Sequence, residues 1–181
     1  LTKQMLQEGT MHMYSILDAI DEKLVDAGSM RLARIIELAN LSSVLGNLLG
    51  AGIAKASRGL FERNRPHAYP DLIAKASAAA DLEIKVALEN NKPKGHLAKE
   101  GYYLTARYVL GDSSGRYVAG KKNRGDVVWV WEFRFGFLRT EHFSLSNTPG
   151  DSGKTAVINA KGMNSLATIY LDPGRCPLVK K

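Results

Sequence analysis

The sequence predicts an α/β fold in which N-terminal helices pack on a central mixed β-sheet. Three observations lead there. Apolar residues recur at helical spacing through the first 58 residues. From residue 59 onward, β-rich runs alternate with turn clusters. Helices first and strands afterwards make a sheet flanked by helices. A chain of 181 residues fits one domain with a buried core, mainly helical over 1–58 and mainly β over 59–181.

Taken in order, residues 3–27 read as an amphipathic helix carrying Met5, Leu6, Met13, Ile16, Leu17, Ile20 and Leu24, and "DAGSM" ends it. A second helix starts near Met30 and continues through Ile36, Leu41, Val44, Leu45 and Leu48, with a bend expected at Leu41–Ser43. Gly46, Gly50 and Gly52 suit close packing. They are no nucleotide loop, because no strand precedes them and the G-x-G-x-x-G order is absent. "GLFERNRPHAYPDL" is a loop leading to a strand, "DLEIKVAL" a strand, "ENNKPKGHLAKEG" a loop and "YYLTARYVLG" a strand. "DSSGRYVAGKKNRGD" is a turn region. In the long strand "VVWVWEFRFGFL", Val127, Trp129, Trp131, Phe133, Phe135 and Phe137 share a face expected to be core. Val128, Val130, Glu132, Arg134 and Gly136 take the other, with Glu132 and Arg134 expected to pair as ions. "SNTPGDSGK" is a loop, and the tail ends in "SLATIYLDP".

No apolar run approaches the roughly 18–20 residues needed to span a bilayer, and no secretory signal is visible. The single Cys176 excludes an internal disulfide and a multi-cysteine zinc site, and suits a reducing cytoplasm. The start at Leu1 rather than methionine leaves room for an additional upstream domain. Of the net charge of +7, residues 91–125 alone carry +6. Such a segment, holding Lys92, Lys94, His96, Lys99, Lys121, Lys122 and Arg124, attracts polyanions such as nucleic acid.

Just before it lies "PDLIAKASAAADLEIKVAL". On a strand, Asp81, Glu83 and Lys85 point one way while Leu82, Ile84 and Val86 point the other. The same acid-x-lysine spelling at Asp21–Lys23 falls in a helix, where residues two apart do not face each other. If residues 66–72 and 81–88 form a hairpin, Asp71 comes beside Glu83. Two carboxylates and a backbone carbonyl, here that of Ile84, make the hard oxygen site that Mg²⁺ accepts, and Mn²⁺ is expected to substitute. A neighbouring ammonium can orient an attacking water.

Pro70, Asp71, Glu83 and Lys85 together resemble the motif of the PD-(D/E)xK nuclease superfamily: proline–aspartate, a variable spacer, then an acid, any residue and lysine. The wider layout, roughly residues 30–175, is similar to type II restriction endonucleases of that superfamily. "GHLAKEGYYLTARYVLG", "GDSGKTAVIN" and "LATIYLD" carry that looser likeness. The resemblance implies a restriction-endonuclease-like core and a Mg²⁺-dependent endonuclease that cuts double-stranded DNA at specific sequences. Asp71 and Glu83 would bind the ion and Lys85 would position water. Glu37, on the helix before the motif, is a further candidate ligand. Cutting both strands implies a homodimer, in a bacterial or archaeal cytoplasm. A repair or junction-resolving nuclease with the same core and a non-catalytic DNA-binding module stay open as alternatives.

Four other signals bear on nucleic-acid contact. His67, four residues before Asp71, is read either as a contact to a phosphate or the attacking water or as a structural histidine at a strand edge. Of Tyr102 and Tyr103, one is expected in the core and the other toward DNA. "GDSGKT" lacks the last glycine of a serine-protease signature, and Thr148 stands where a phosphate loop needs glycine. Ser152, Lys154, Thr155 and Asn159 are read instead as contacts to phosphates or base edges.

Overall fold

Thr2 starts the first helix, α1 (Lys3–Asp26), by accepting the Met5 amide at its hydroxyl, 3.2 Å away. The computed structural model of the chain describes residues 1–66, 68–146 and 155–178. Met13 and Leu17 turn one face of α1 to the core. The single bent helix expected from residue 30 is two helices, α2 (Leu32–Ile35) and α3 (Leu38–Ala56). The break falls at Ile36–Glu37, both in extended backbone, and not at Leu41–Ser43. Buried Asp21 fixes where α2 begins. One carboxylate oxygen accepts the Leu32 amide at 2.8 Å and the other the Arg31 guanidinium at 3.2 Å. That pins the start of α2 to α1 and leaves α3 to set its own direction.

The strands are β1 (Phe61–Arg63), β2 (Leu72–Ala74), β3 (Leu82–Leu88), β4 (Lys94–Gly95), β5 (Gly101–Gly111), β6 (Val127–Leu138), β7 (Phe143–Ser146), β8 (Thr155–Ile158) and β9 (Ala167–Leu171), with a short helix α4 (Ala160–Ser165) before the last. Six form a mixed sheet in the order β1-β2-β3-β5-β6-β9, and β4-β8-β7 form a second. The architecture is thus α/β, as the segment order predicts. No described helix is long and apolar enough to cross a membrane.

The chain divides into two compact units, Leu1–Leu82 with Leu110–Trp129, and Glu83–Val109 with Val130–Lys181. In the first, α1 lies against α3 so closely that Gly9 and Gly52 touch. A Cβ at Gly52 would stand 2.5 Å from the Gly9 carbonyl oxygen, and one at Gly9 would stand 2.7 Å from the Ile53 side chain. Leu41, Leu45, Leu49 and Ile53 fill the contact. Ser57 carries α3 into β1 by donating to the Ala54 carbonyl (2.7 Å) and accepting the Phe61 amide (2.9 Å). β1 pairs antiparallel with β2 through Phe61↔Ala74 and Arg63↔Leu72. Leu72 also stands opposite Leu82. Between β5 and β6, Asp112 folds the turn by accepting the Ser114 hydroxyl and amide and the Arg116 amide. These bonds, the hydroxyl first, hold its carboxyl below the usual carboxylate range.

In the second unit, β6 pairs antiparallel with β9, with an irregularity at Phe133/Arg134. The aromatic face of β6 is core only in part. Trp131 and Phe133 are buried, Trp129 and Phe135 are half-buried, and Phe137 is exposed against Tyr102, its ring centroid 5.3 Å away. The opposite face is buried through Val128, Val130 and Glu132, because long central strands are covered on both sides. The expected loop 89–101 contains β4, which pairs with β8. β9 is the last strand of its sheet, and all five of its residues are exposed.

Gly52→Ala tests the helix contact. Alanine is the better helix former by about 1 kcal/mol, yet the inserted methyl meets the Gly9 backbone at 2.5 and 2.8 Å and the His12 Cβ at 3.0 Å, none of them the far end of a flexible side chain. Net destabilisation of about 1–3 kcal/mol is expected as a lower urea midpoint.

Candidate active site

Asp71 belongs to the first unit and precedes β2. Asn64 brackets its backbone: the Asn64 amide donates to the Asp71 carbonyl at 3.0 Å, and the Asn64 side chain donates to the Pro70 carbonyl at 2.9 Å. The extended segment is 72–74 rather than 66–72, and before it the Ala68 amide donates to the Arg65 carbonyl. The hairpin itself is present in the Leu72–Leu82 pair. Asp81 lies outside β3, exposed, and its carboxylate accepts the Ala74 amide at 2.9 Å. It therefore closes the turn and does not share a strand face with Glu83 and Lys85. Glu37 is exposed at the cap of α3, ten residues or about 15 Å of helix rise from Asn47. Asn47 is the residue that meets Arg63 of β1.

Glu83 and Lys85 lie on β3 in the second unit. Glu83 is 6% exposed, and the Lys85 ammonium is paired to its carboxylate. Ile84, between them, is buried on the other face. Among the described residues, no three His, Cys, Asp or Glu side chains cluster as a metal site.

A second buried charge cluster occupies the same unit. Glu132, 2% exposed, accepts Arg134 Nε at 2.9 Å and faces the Arg107 guanidinium at 3.3 Å. Arg134 also donates to the Met163 carbonyl at 2.9 Å. The expected Glu132–Arg134 pair is therefore present, but Arg107 is an additional partner. Burial, with Arg134 adding repulsion, pushes the Arg107 pKa down, and Glu132 opposes the shift. The signal for Arg107 was a lone base in the apolar run "YYLTARYVLG", where only an ion partner makes burial tolerable.

The predicted DNA contacts fall in both units. Lys92, Lys94 and His96 are exposed and Lys99 half-buried in the second. Lys121 and Lys122 are exposed on a short 3₁₀ turn in the first, and half-buried Arg124 offers its carbonyl to Arg34 at 2.8 Å. Thr155 begins β8, half-buried. Asn159 caps α4, accepting the Gly162 amide at 2.9 Å and donating to the Glu141 carbonyl at 3.0 Å, which occupies both ends of its amide. His67, Ser152 and Lys154 lie outside the described residues. Of the tyrosine pair, Tyr103 is buried and Tyr102 is 39% exposed.

Glu132→Gln removes the charge shared by the buried Arg107 and half-buried Arg134 guanidinium groups. A loss on the order of 3 kcal/mol in urea unfolding is expected, whereas Glu141→Gln, which parts an exposed pair with Lys161, leaves the midpoint in place.

No protein-family model matches the chain, and no curated protein matches it either.

Proposed function

We propose that the chain is a Mg²⁺-dependent endonuclease that hydrolyses phosphodiester bonds in double-stranded DNA at specific sequences, in the manner of a type II restriction enzyme. One observation carries this reading: Leu72 stands opposite Leu82. Asp71 precedes the first and Glu83 follows the second, each one peptide step of about 3.8 Å away. With paired Cα atoms about 5 Å apart, chain connectivity alone keeps the Asp71 and Glu83 Cα atoms within roughly 13 Å. Two carboxylate side chains can close that span on one cation. The ion pair between Glu83 and Lys85 supports the same reading, because it brings an ammonium to one of these carboxylates.

Asp71, Glu83 and the Ile84 carbonyl would hold the ion, with Mn²⁺ able to replace Mg²⁺. When bound, Mg²⁺ supplies a positive charge that offsets the charge developing on the phosphate. Lys85 donates hydrogen bonds from its ammonium to the attacking water and to a non-bridging phosphate oxygen, aligning the water for in-line attack. Its pairing with Glu83 restricts where that ammonium can sit. Burial of Glu83 strengthens the attraction by removing competing water. Lys92, Lys94, His96 and Lys99, with Lys121, Lys122 and Arg124, supply cations for the DNA backbone. Cutting both strands calls for two copies of the chain. A bacterial or archaeal cytoplasm is where such an enzyme meets its DNA.

Incubation with mixed-sequence plasmid and Mg²⁺ tests the reading. Discrete fragments are expected. Nicks confined to branched or damaged DNA would point to a repair or junction-resolving enzyme, and retention without cutting to a DNA-binding module. Mg²⁺ should also raise the melting temperature by mass action. Asp71→Asn and Glu83→Gln should abolish both that rise and cleavage while DNA binding persists. Lys85→Ala should keep the rise and lose turnover by roughly 10²-fold or more. Full cleavage by Lys85→Ala would remove the lysine from the reaction. Affinity for DNA should fall by roughly 10³ between about 50 and 200 mM salt if some six phosphates are contacted. Replacing Lys92, Lys94 and Lys99 with alanine should flatten that slope, and an affinity indifferent to salt would exclude backbone-dominated binding.

A further inference from the structure

We infer that Gly95 is a positioning residue for the Lys85 ammonium. β4 presents its backbone to that side chain: a Cβ built on Gly95 would lie 2.9 Å from Lys85 Cε, 3.4 Å from Nζ and 3.8 Å from Cδ, and the three nearest atoms all belong to Lys85. Carbon atoms rest at about 3.5–4.0 Å from one another. Any side chain at residue 95 would therefore occupy space that the lysine stem now fills.

β4 cannot easily retreat. Lys94 stands opposite Val157 and Gly95 opposite Ala156 in the β4–β8 pair, and the Ile158 amide donates to the Pro93 carbonyl at 3.0 Å. Glu83 is buried and cannot follow a displaced ammonium into solvent. The yielding part is the flexible lysine stem. Strand alternation sends exposed Lys94 to the side opposite the one on which Gly95 meets Lys85. One short strand thus limits the freedom of the lysine on one face and carries a cation on the other.

As far as turnover is concerned, this inference rests on the nuclease reading; the placement of Lys85 does not. Residue-resolved acylation with an amine-reactive ester, followed by mass spectrometry, reads that placement directly. In the unmodified protein Lys85 should acylate several-fold more slowly than exposed Lys92 and Lys121. In Gly95→Ala its rate should rise toward theirs while their own rates stay the same. Turnover on DNA should drop by about 10²-fold, the effect of a misplacement near 1 Å, with KM for DNA unchanged. Acylation of Lys85 as fast as Lys92 in the unmodified protein would overturn the inference, and that measurement holds even if Gly95→Ala does not fold. An unchanged Lys85 rate in a folded Gly95→Ala would overturn it as well. If the acylation shift occurs in a protein that never cuts DNA, the nuclease reading falls and the positioning role stands.

Discussion

Charge buried in strands that are covered on both faces governs the second unit. A carboxylate or guanidinium removed from water loses several kcal/mol of hydration, recovered only through a close partner of opposite sign. Glu83 meets this demand with Lys85, and Glu132 meets it with Arg107 and Arg134. The Arg107–Glu132 pair joins β5 to β6 and restricts how those two strands align, because a slip of one residue would turn the charge to the opposite face. Such a pair adds little to net stability compared with an apolar core, but it penalises alternative registers. The Glu83–Lys85 and Glu132–Arg134 pairs lie within one strand each and fix side-chain positions on it.

The first unit is held by a different constraint, the close approach of two helices. Gly9 and Gly52 let the α1 and α3 backbones touch, and buried Asp21 ties the start of α2 to α1. Both devices act ahead of β1 and β2, the strands that lead to Asp71. Neither involves a residue of the proposed reaction, yet both fix the frame from which the Asp71 hairpin projects.

Much of this was legible in the sequence. The extent of α1 and of β6 follows from apolar spacing, and the Glu132–Arg134 pair follows from two charges two residues apart on one strand face. The Leu72–Leu82 hairpin follows from two extended runs around a short spacer. What escaped depends on contacts distant in sequence. Asp21 holds the start of α2 through Arg31 and Leu32, ten and eleven residues away, and no local propensity marks Ile36–Glu37 as the junction. Gly52 looked suited to packing, but nothing pointed to Gly9 as its partner. Alternation in β6 suggested one buried face, whereas Val128 and Val130 opposite are also covered and Phe137 is not. Asp81 spells like a member of the acid-x-lysine row, yet it is spent on a turn. The fit of Gly95 over Lys85 could not be read at all, since it needs the coordinates of a two-residue strand inside what looked like a loop.

The exposed strand β9 has a colloidal consequence. Its run Ala167–Leu171 carries no charged side chain and ends the six-stranded sheet with five exposed residues. Protein edges of this kind invite another chain to dock, and charge is one of the few brakes on that adhesion. Here the brake lies elsewhere in the chain, a net +7 of which residues 91–125 carry +6, and it keeps copies apart by mutual repulsion. Such repulsion reaches about 10 Å at 0.1 M salt and about 3 Å at 1 M. Concentrated salt therefore exposes the tackiness of β9, and a polyanion that neutralises the surface would do the same.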